Sequence, residues 1–247
     1  MPPPAADLAV AVAGMHRSGT SMVARILAEC GVYLGEERDL LGAGVGNPEG
    51  HFEHQEFIRL NDEVLAVLGG AWDVPPPRHA VWRRRRLGPL RRRAAQLVTT
   101  MRPHAPWGWK DPRTSLTLGF WREVVPELRV VICVRDAVAV AQSLLVRDHS
   151  SELFGLLLWA AYNRSLLADA PRGRTVFTEY ERYFEDPERE VERLARSLDL
   201  PTDRERLARA AATVDRSLRH HRVDYDPKGL PRPVRRCRER LLARAAG

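Results

Sequence analysis

The stretch Leu8-Ala9-Val10-Ala11-Val12-Ala13-Gly14-Met15-His16-Arg17-Ser18-Gly19-Thr20-Ser21 decides the fold. Its six opening apolar residues form a short unbroken run, suited to a strand buried on both faces. Gly14 and Gly19 bracket a turn. Met22, Val23, Ile26, Leu27 and Cys30 then recur at helical spacing until Gly31 stops the pattern. A glycine turn between strand and helix points backbone N–H groups at a helix N-terminus and so attracts an anion. The turn has the G-x-x-x-x-G spacing of a nucleotide-binding P-loop, but Thr20 stands where that motif has lysine, and the basic residue is Arg17. Kinases use the missing lysine on the β and γ phosphates, so this loop suits a shorter anion.

Outward from that unit, apolar strands alternate with amphipathic segments. Phe57, Leu60, Val64, Leu65 and Leu68 share a helical face that ends at Gly69-Gly70, and residues 107–110, 129–134 and 175–178 read as further strands. Helices are expected over 114–125, 137–146, 152–168, 187–198 and 203–214. The arginine-rich tract at 81–101 should make two short helices or one kinked helix, interrupted at Gly88-Pro89. The alternation predicts an α/β fold: three layers, a mostly parallel central sheet with helices on both faces. Residues 1–216 are expected to form a single domain and 217–247 a basic C-terminal extension packed on it.

Charge sharpens this frame. The 247 residues carry a net +7, and only Lys110 and Lys228 among the 39 basic residues are lysines, a skew attributable to codon bias. Residues 78–102 carry +9 and residues 217–247 carry +6, so the remainder sums to −8. A nucleic-acid partner is therefore not expected for the body of the chain. Cys30, Cys133 and Cys237 are an odd set without metal-ligand spacing, and no apolar run approaches membrane-spanning length. A reducing, cytoplasmic setting is the expectation.

Three motifs together resemble one family. The Arg17-Ser18-Gly19-Thr20-Ser21 loop is similar to the 5′-phosphosulfate loop of sulfotransferases that use 3′-phosphoadenosine-5′-phosphosulfate (PAPS). Residues 129–143, where a buried strand ends in Arg135-Asp136 and Ser143 follows eight positions after the arginine, resemble the family's 3′-phosphate motif. Thr178-Glu179-Tyr180-Glu181 resembles a segment whose tyrosine helps hold the adenine. The resemblance, in its bacterial P-loop-like form, implies PAPS as sulfuryl donor held by Arg17, Ser18, Gly19, Thr20, Ser21, Arg135, Ser143 and Tyr180. Lys228-Gly229 is similar to a C-terminal basic clamp on the same ligand.

The resemblance also implies the catalytic groups. Arg17 faces the leaving phosphate oxygen, and Lys110, at the end of Trp107-Gly108-Trp109-Lys110, resembles the lysine beside the transferring group. A lone lysine in a chain that otherwise uses arginine suits a compact point charge. Phenol and steroid sulfotransferases carry a histidine base two residues after that lysine, where this chain has Pro112. Related sulfotransferases use a glutamate after the first helix. Glu53 is the candidate, with Glu49 and His51 as alternates. No metal is expected, since the histidines at 51 and 54 lack a helical ligand pattern and a third ligand. The acceptor would be a hydroxyl of a small molecule, sugar or glycolipid. Two other classes remain open: a P-loop kinase with Asp136 holding Mg²⁺, and a polyanion-binding module built on residues 83–93.

Overall fold

The computed structural model describes residues 7–42, 50–77, 85–215 and 225–245. Glu49, Arg83 and Arg84 fall outside them. Four parallel strands, β1 (Ala9–Ala13), β2 (Trp107–Lys110), β3 (Arg129–Val134) and β4 (Thr175–Glu179), form one sheet in the order β2-β1-β3-β4. Among the described residues ten α-helices connect and cover them: α1 (Thr20–Glu29), α2 (Gln55–Val67), α3 (Gly88–Met101), α4 (Thr114–Val124), α5 (Ala137–Asp148), α6 (Glu152–Asp169), α7 (Arg182–Glu185), α8 (Pro187–Ser197), α9 (Arg204–Ala212) and α10 (Arg232–Ala245).

Strand alternation divides the core into the expected two faces. Ala9, Ala11, Ala13, Trp107, Trp109, Val130, Ile132 and Val134 face the larger side, where residues of α2 to α6 and α10 complete the packing. Leu8, Val10, Val12, Val131 and Cys133 face the other, under α1, α8 and α9. Large and small residues complement one another across β1 and β2: Trp107 and Trp109 lie in register with Ala9 and Ala11. Between them Gly108 pairs with Val10, and a Cβ there would lie 2.2 Å from the Val10 carbonyl oxygen. Trp109 stacks on Phe57 (ring centroids 4.6 Å apart), which joins β2 to α2.

In the described part of the arginine tract a 3-10 turn (Arg85–Leu87) and α3 meet at Gly88-Pro89. Gly88-Pro89 opens α3, with the proline in the first turn, where its missing N–H would have had no helical partner. Arg91 pairs with Glu123 (2.7 Å) and Arg93 with Glu63 (2.6 Å), so part of the tract is matched by acids of α4 and α2. In the C-terminal segment, α10 lies against α6 and buries Val234, Cys237 and Leu241. All three cysteines are buried, and burial raises the Cys30 thiol to about 11. No described helix is long and apolar enough to cross a membrane.

Candidate functional site

Sheet register brings the motifs together. β1 pairs Val12 with Lys110 on one side and Ala13 with Ile132 on the other, while β3 pairs Val134 with Glu179. The glycine turn, Lys110, Arg135 and Tyr180 therefore emerge side by side at the carboxyl edge of a parallel sheet, where such folds place their ligands.

The turn is shaped by sterics. Gly14 adopts φ 152°, and a Cβ there would lie 2.8 Å from the Cys133 carbonyl oxygen. Gly19 adopts φ 81°, and a Cβ would lie 2.4 Å from the Tyr180 ring. Arg17 itself lies in the left-handed region at φ 68°. No side chain caps the start of α1. Ser18 is 1% exposed, and its hydroxyl has no partner among the described residues. An uncapped helix start beside an orphan hydroxyl and an arginine fits an anion bearing several oxygens. Thr20 is buried, and the Ser21 hydroxyl reaches toward the His51 carbonyl at 3.5 Å.

Arg17, Ser143 and Arg135, from two separate motifs, form one connected group. Arg17 Nε donates to Ser143 Oγ at 2.8 Å, and Arg135 donates to the Arg17 carbonyl at 2.8 Å. The Arg135 guanidinium lies 4.2 Å from the Tyr180 ring centroid. Its own carbonyl accepts from Trp159 Nε1 at 3.1 Å, which anchors the backbone to α6. Burial first, then Arg147 and Arg135, lowers the pKa of Arg17; burial likewise lowers that of Arg135. Both cations have been brought out of water next to one another, an arrangement that an anion relieves.

Lys110 and Glu53 meet 57 residues apart in sequence: Lys110 Nζ donates to Glu53 Oε1 at 2.6 Å, both residues being buried. Glu53 is held immediately before α2, whose first turn is capped by His54 Nδ1 accepting from the Glu56 amide at 3.2 Å. Arg113 lies 3.8 Å from Glu53 Oε2 and 2.8 Å from Asp62, and donates to Asp111 Oδ1 at 3.1 Å. His51 is half-buried, and burial, then Lys110, lowers its pKa.

Behind this pair stands a network that motif reading missed. Asn61 donates to Asp111 Oδ2 (2.7 Å) and accepts from Thr117 (2.6 Å) and Trp121 Nε1 (2.7 Å). The available signal was a polar residue on the apolar stripe of α2, since Asn61 is 0% exposed beside Leu60 and Val64. Burial raises the Asp111 pKa, opposed by Arg113.

Two other candidate groups remain. Lys228 is exposed, and its side chain makes no hydrogen bond or ion pair among the described residues; its backbone N–H donates to Asp226 at 2.9 Å. Asp136 caps α5 through Oδ1, accepting from Val138 and Ala139, and takes the Tyr225 hydroxyl on Oδ2 at 2.6 Å. Those bonds occupy the oxygens that the kinase reading assigned to Mg²⁺. Among the described residues no group of three His, Cys, Asp or Glu side chains is arranged to hold a metal.

The comparisons agree with the arrangement. A protein named "Putative protein-tyrosine sulfotransferase" from Caenorhabditis elegans is 31% identical over 108 residues, 40% of this chain and 41% of its own length. The chain thus matches about two fifths of that relative. The sulfotransferase domain of the curacin biosynthetic pathway superposes with a TM-score of 0.58 at 14% identity, covering 96% of this chain and 98% of that one. Sulfotransferase STF1 of Mycobacterium tuberculosis does so with a TM-score of 0.61 at 16% identity, covering 97% and 77%; at these identities the likeness is one of fold. The family pattern described as "Sulfotransferase family" matches residues 9–204. With that span taking in the glycine turn, Lys110, Arg135 and Tyr180, the chain belongs to the sulfotransferase family.

Proposed function

We propose that the protein transfers a sulfuryl group from PAPS to the hydroxyl of a small-molecule, sugar or glycolipid acceptor. The observation that carries this reading is the Lys110–Glu53 pair at 2.6 Å, set one strand away from the Arg17–Ser143–Arg135 group. One side suits an anion and the other joins a carboxylate base to a buried cation. The donor supplies an SO₃ unit on a phosphate leaving group. Arg17 and the amides of residues 18–21 bind its 5′ end, Arg135 and Ser143 its 3′-phosphate, and Tyr180 its adenine; Lys228 is the outer clamp.

Glu53 accepts the proton of the acceptor hydroxyl as the acceptor oxygen forms its bond to sulfur. The sulfur–oxygen bond to the leaving phosphate breaks with its electron pair on the phosphate oxygen, where Arg17 and Lys110 neutralise the charge. Positioning and fixed charge supply most of the rate in transfers of this type. Because Lys110 and Glu53 begin as an ion pair, Lys110 must turn toward the leaving oxygen to release Glu53 as a base. Arg113, anchored on Asp111, stays to hold Glu53 in place.

The test is titration calorimetry with 3′-phosphoadenosine-5′-phosphate (PAP), followed by transfer of radiolabelled sulfuryl from PAPS to alcohols, sugars and phenols. A tyrosyl peptide belongs in that panel, given the name of the C. elegans relative. Binding that is lost in Arg17→Ala and Arg135→Ala supports the reading. Wild-type protein that binds no PAP, or binds it equally in both variants, refutes it.

A further inference from the structure

His16 precedes Arg17 in the glycine turn and has no part in the contacts described so far. Its ring packs edge-on against Trp72 (centroids 5.1 Å apart, planes at 64°) and Tyr162 (5.8 Å, 68°). Tyr162 donates to the Trp72 carbonyl at 2.6 Å, tying the segment after α2 to α6. The Arg147 guanidinium lies 5.6 Å from the Trp72 ring centroid. Against this aromatic wall His16 Nε2 is buried and has no hydrogen-bond partner among the described residues. Such groups are rare in folded proteins, and a catalytic role is one of the reasons they persist.

The surroundings hold the ring neutral. Burial contributes most, followed by Arg147 from α5, Arg113 and Lys110 from the end of β2, and Arg17 from the turn; together they place the imidazole pKa well below its ordinary value. The nearby acids are engaged elsewhere, Glu53 with Lys110, Asp111 with Arg113 and Asp148 with Arg147. A neutral imidazole with one unused nitrogen thus lies among the groups that manage charge.

We propose that His16 is a further catalytic residue, whose Nε2–H hydrogen-bonds the oxygen of the reacting acceptor hydroxyl. This rests on the sulfuryl-transfer reading and names how the acceptor is held. A hydroxyl oxygen carries one hydrogen and two lone pairs. Glu53 takes the hydrogen, one pair forms the bond to sulfur, and His16 occupies the second pair, fixing the line of attack. An amine nitrogen has a single pair, which the new bond consumes, leaving nothing for His16 to hold. The arrangement therefore selects oxygen over nitrogen acceptors, held beside Trp72.

The test compares His16→Met, which removes the donor, with His16→Gln, which keeps an N–H, in the full chain. The readouts are release of radiolabelled sulfate from PAPS with water as acceptor, transfer to p-nitrophenol, and PAP affinity by calorimetry. His16→Met is expected to lower kcat by about 10- to 100-fold in both reactions, with PAP affinity within about twofold, and His16→Gln to recover most of the loss. Wild-type rates in His16→Met, or a loss that parallels PAP affinity in both variants, overturn the inference while leaving the transferase reading intact. Wild-type protein that neither binds PAP nor moves label overturns the transferase reading, and this inference with it.

Discussion

Around the glycine turn, Arg17 and Arg135 hydrogen-bond neutral oxygens, those of Ser143 and of the Arg17 backbone; one strand away, Lys110 and Arg113 are gripped by Glu53, Asp111 and Asp62. The pKa directions record the contrast. Burial lowers both arginines at the turn. For Arg113 burial works the same way, but Asp111, Asp62 and Glu53 outweigh it and the pKa rises. In one region burial dominates the two arginines, and in the other carboxylates within the fold hold the cations. Stability and ligand affinity should therefore separate cleanly between them.

The largest effect is expected on the balanced side. Lys110→Met leaves the Glu53 carboxylate buried beside only the more distant Arg113, and should lower the unfolding free energy by about 3–5 kcal/mol in urea denaturation. Adding Glu53→Gln should restore most of that. A Lys110→Met protein as stable as wild type would dissolve the comparison. On the turn side, Arg17→Ala should leave stability within about 1 kcal/mol yet weaken PAP binding by about 100-fold, read by calorimetry. The comparison breaks if the stability loss matches that of Lys110→Met.

A smaller effect belongs to Tyr180, whose ring packs on Gly19 and faces Arg135. Tyr180→Leu should weaken PAP binding by about fivefold, in keeping with a cation–π contact of about 1 kcal/mol. An unchanged affinity would remove Tyr180 from the anion side. The last effect is on pH. Burial is the leading cause of the lowered pKa at His16, His51 and His54. Below a pH of about 6.5 the unfolded chain binds more protons than the folded one, so the stability these residues allow is complete above that pH and falls as pH drops below it. The slope is at most about 1.4 kcal/mol per pH unit for each histidine. Melting temperatures at pH 7.5 and 5.5 should differ in that direction, and less so in His16→Met; a midpoint that rises on acidification would contradict the burial of these rings.

Much of this site could be read before any fold was known. Arg17, Arg135 and Tyr180 each sit at a strand–turn boundary that periodicity and glycine placement mark out, and parallel strands carry such boundaries to a common edge. Lys110 was conspicuous as one of two lysines. Glu53 was only one of three candidates, because nothing local distinguishes a carboxylate that meets a lysine 57 residues away from one in solvent. Asn61 went unread: a polar residue on an apolar stripe does not disclose that it serves Asp111, Thr117 and Trp121 together. Gly88-Pro89 marked a junction between helical pieces, without saying that the longer one would begin there.

Sequence alone determined the α/β alternation, the anion-attracting turn without a kinase lysine, and the identity of the cations along the sheet edge. These follow from short-range rules: strand and helix periods, glycine's access to positive φ, and the chemistry of individual side chains. Tertiary structure alone decided which carboxylate meets Lys110, that Ser143 meets Arg17 rather than solvent, and that His16 keeps a buried nitrogen without a partner. Those outcomes depend on long-range register and on the desolvation that packing imposes, and neither is encoded in the spacing of neighbouring residues.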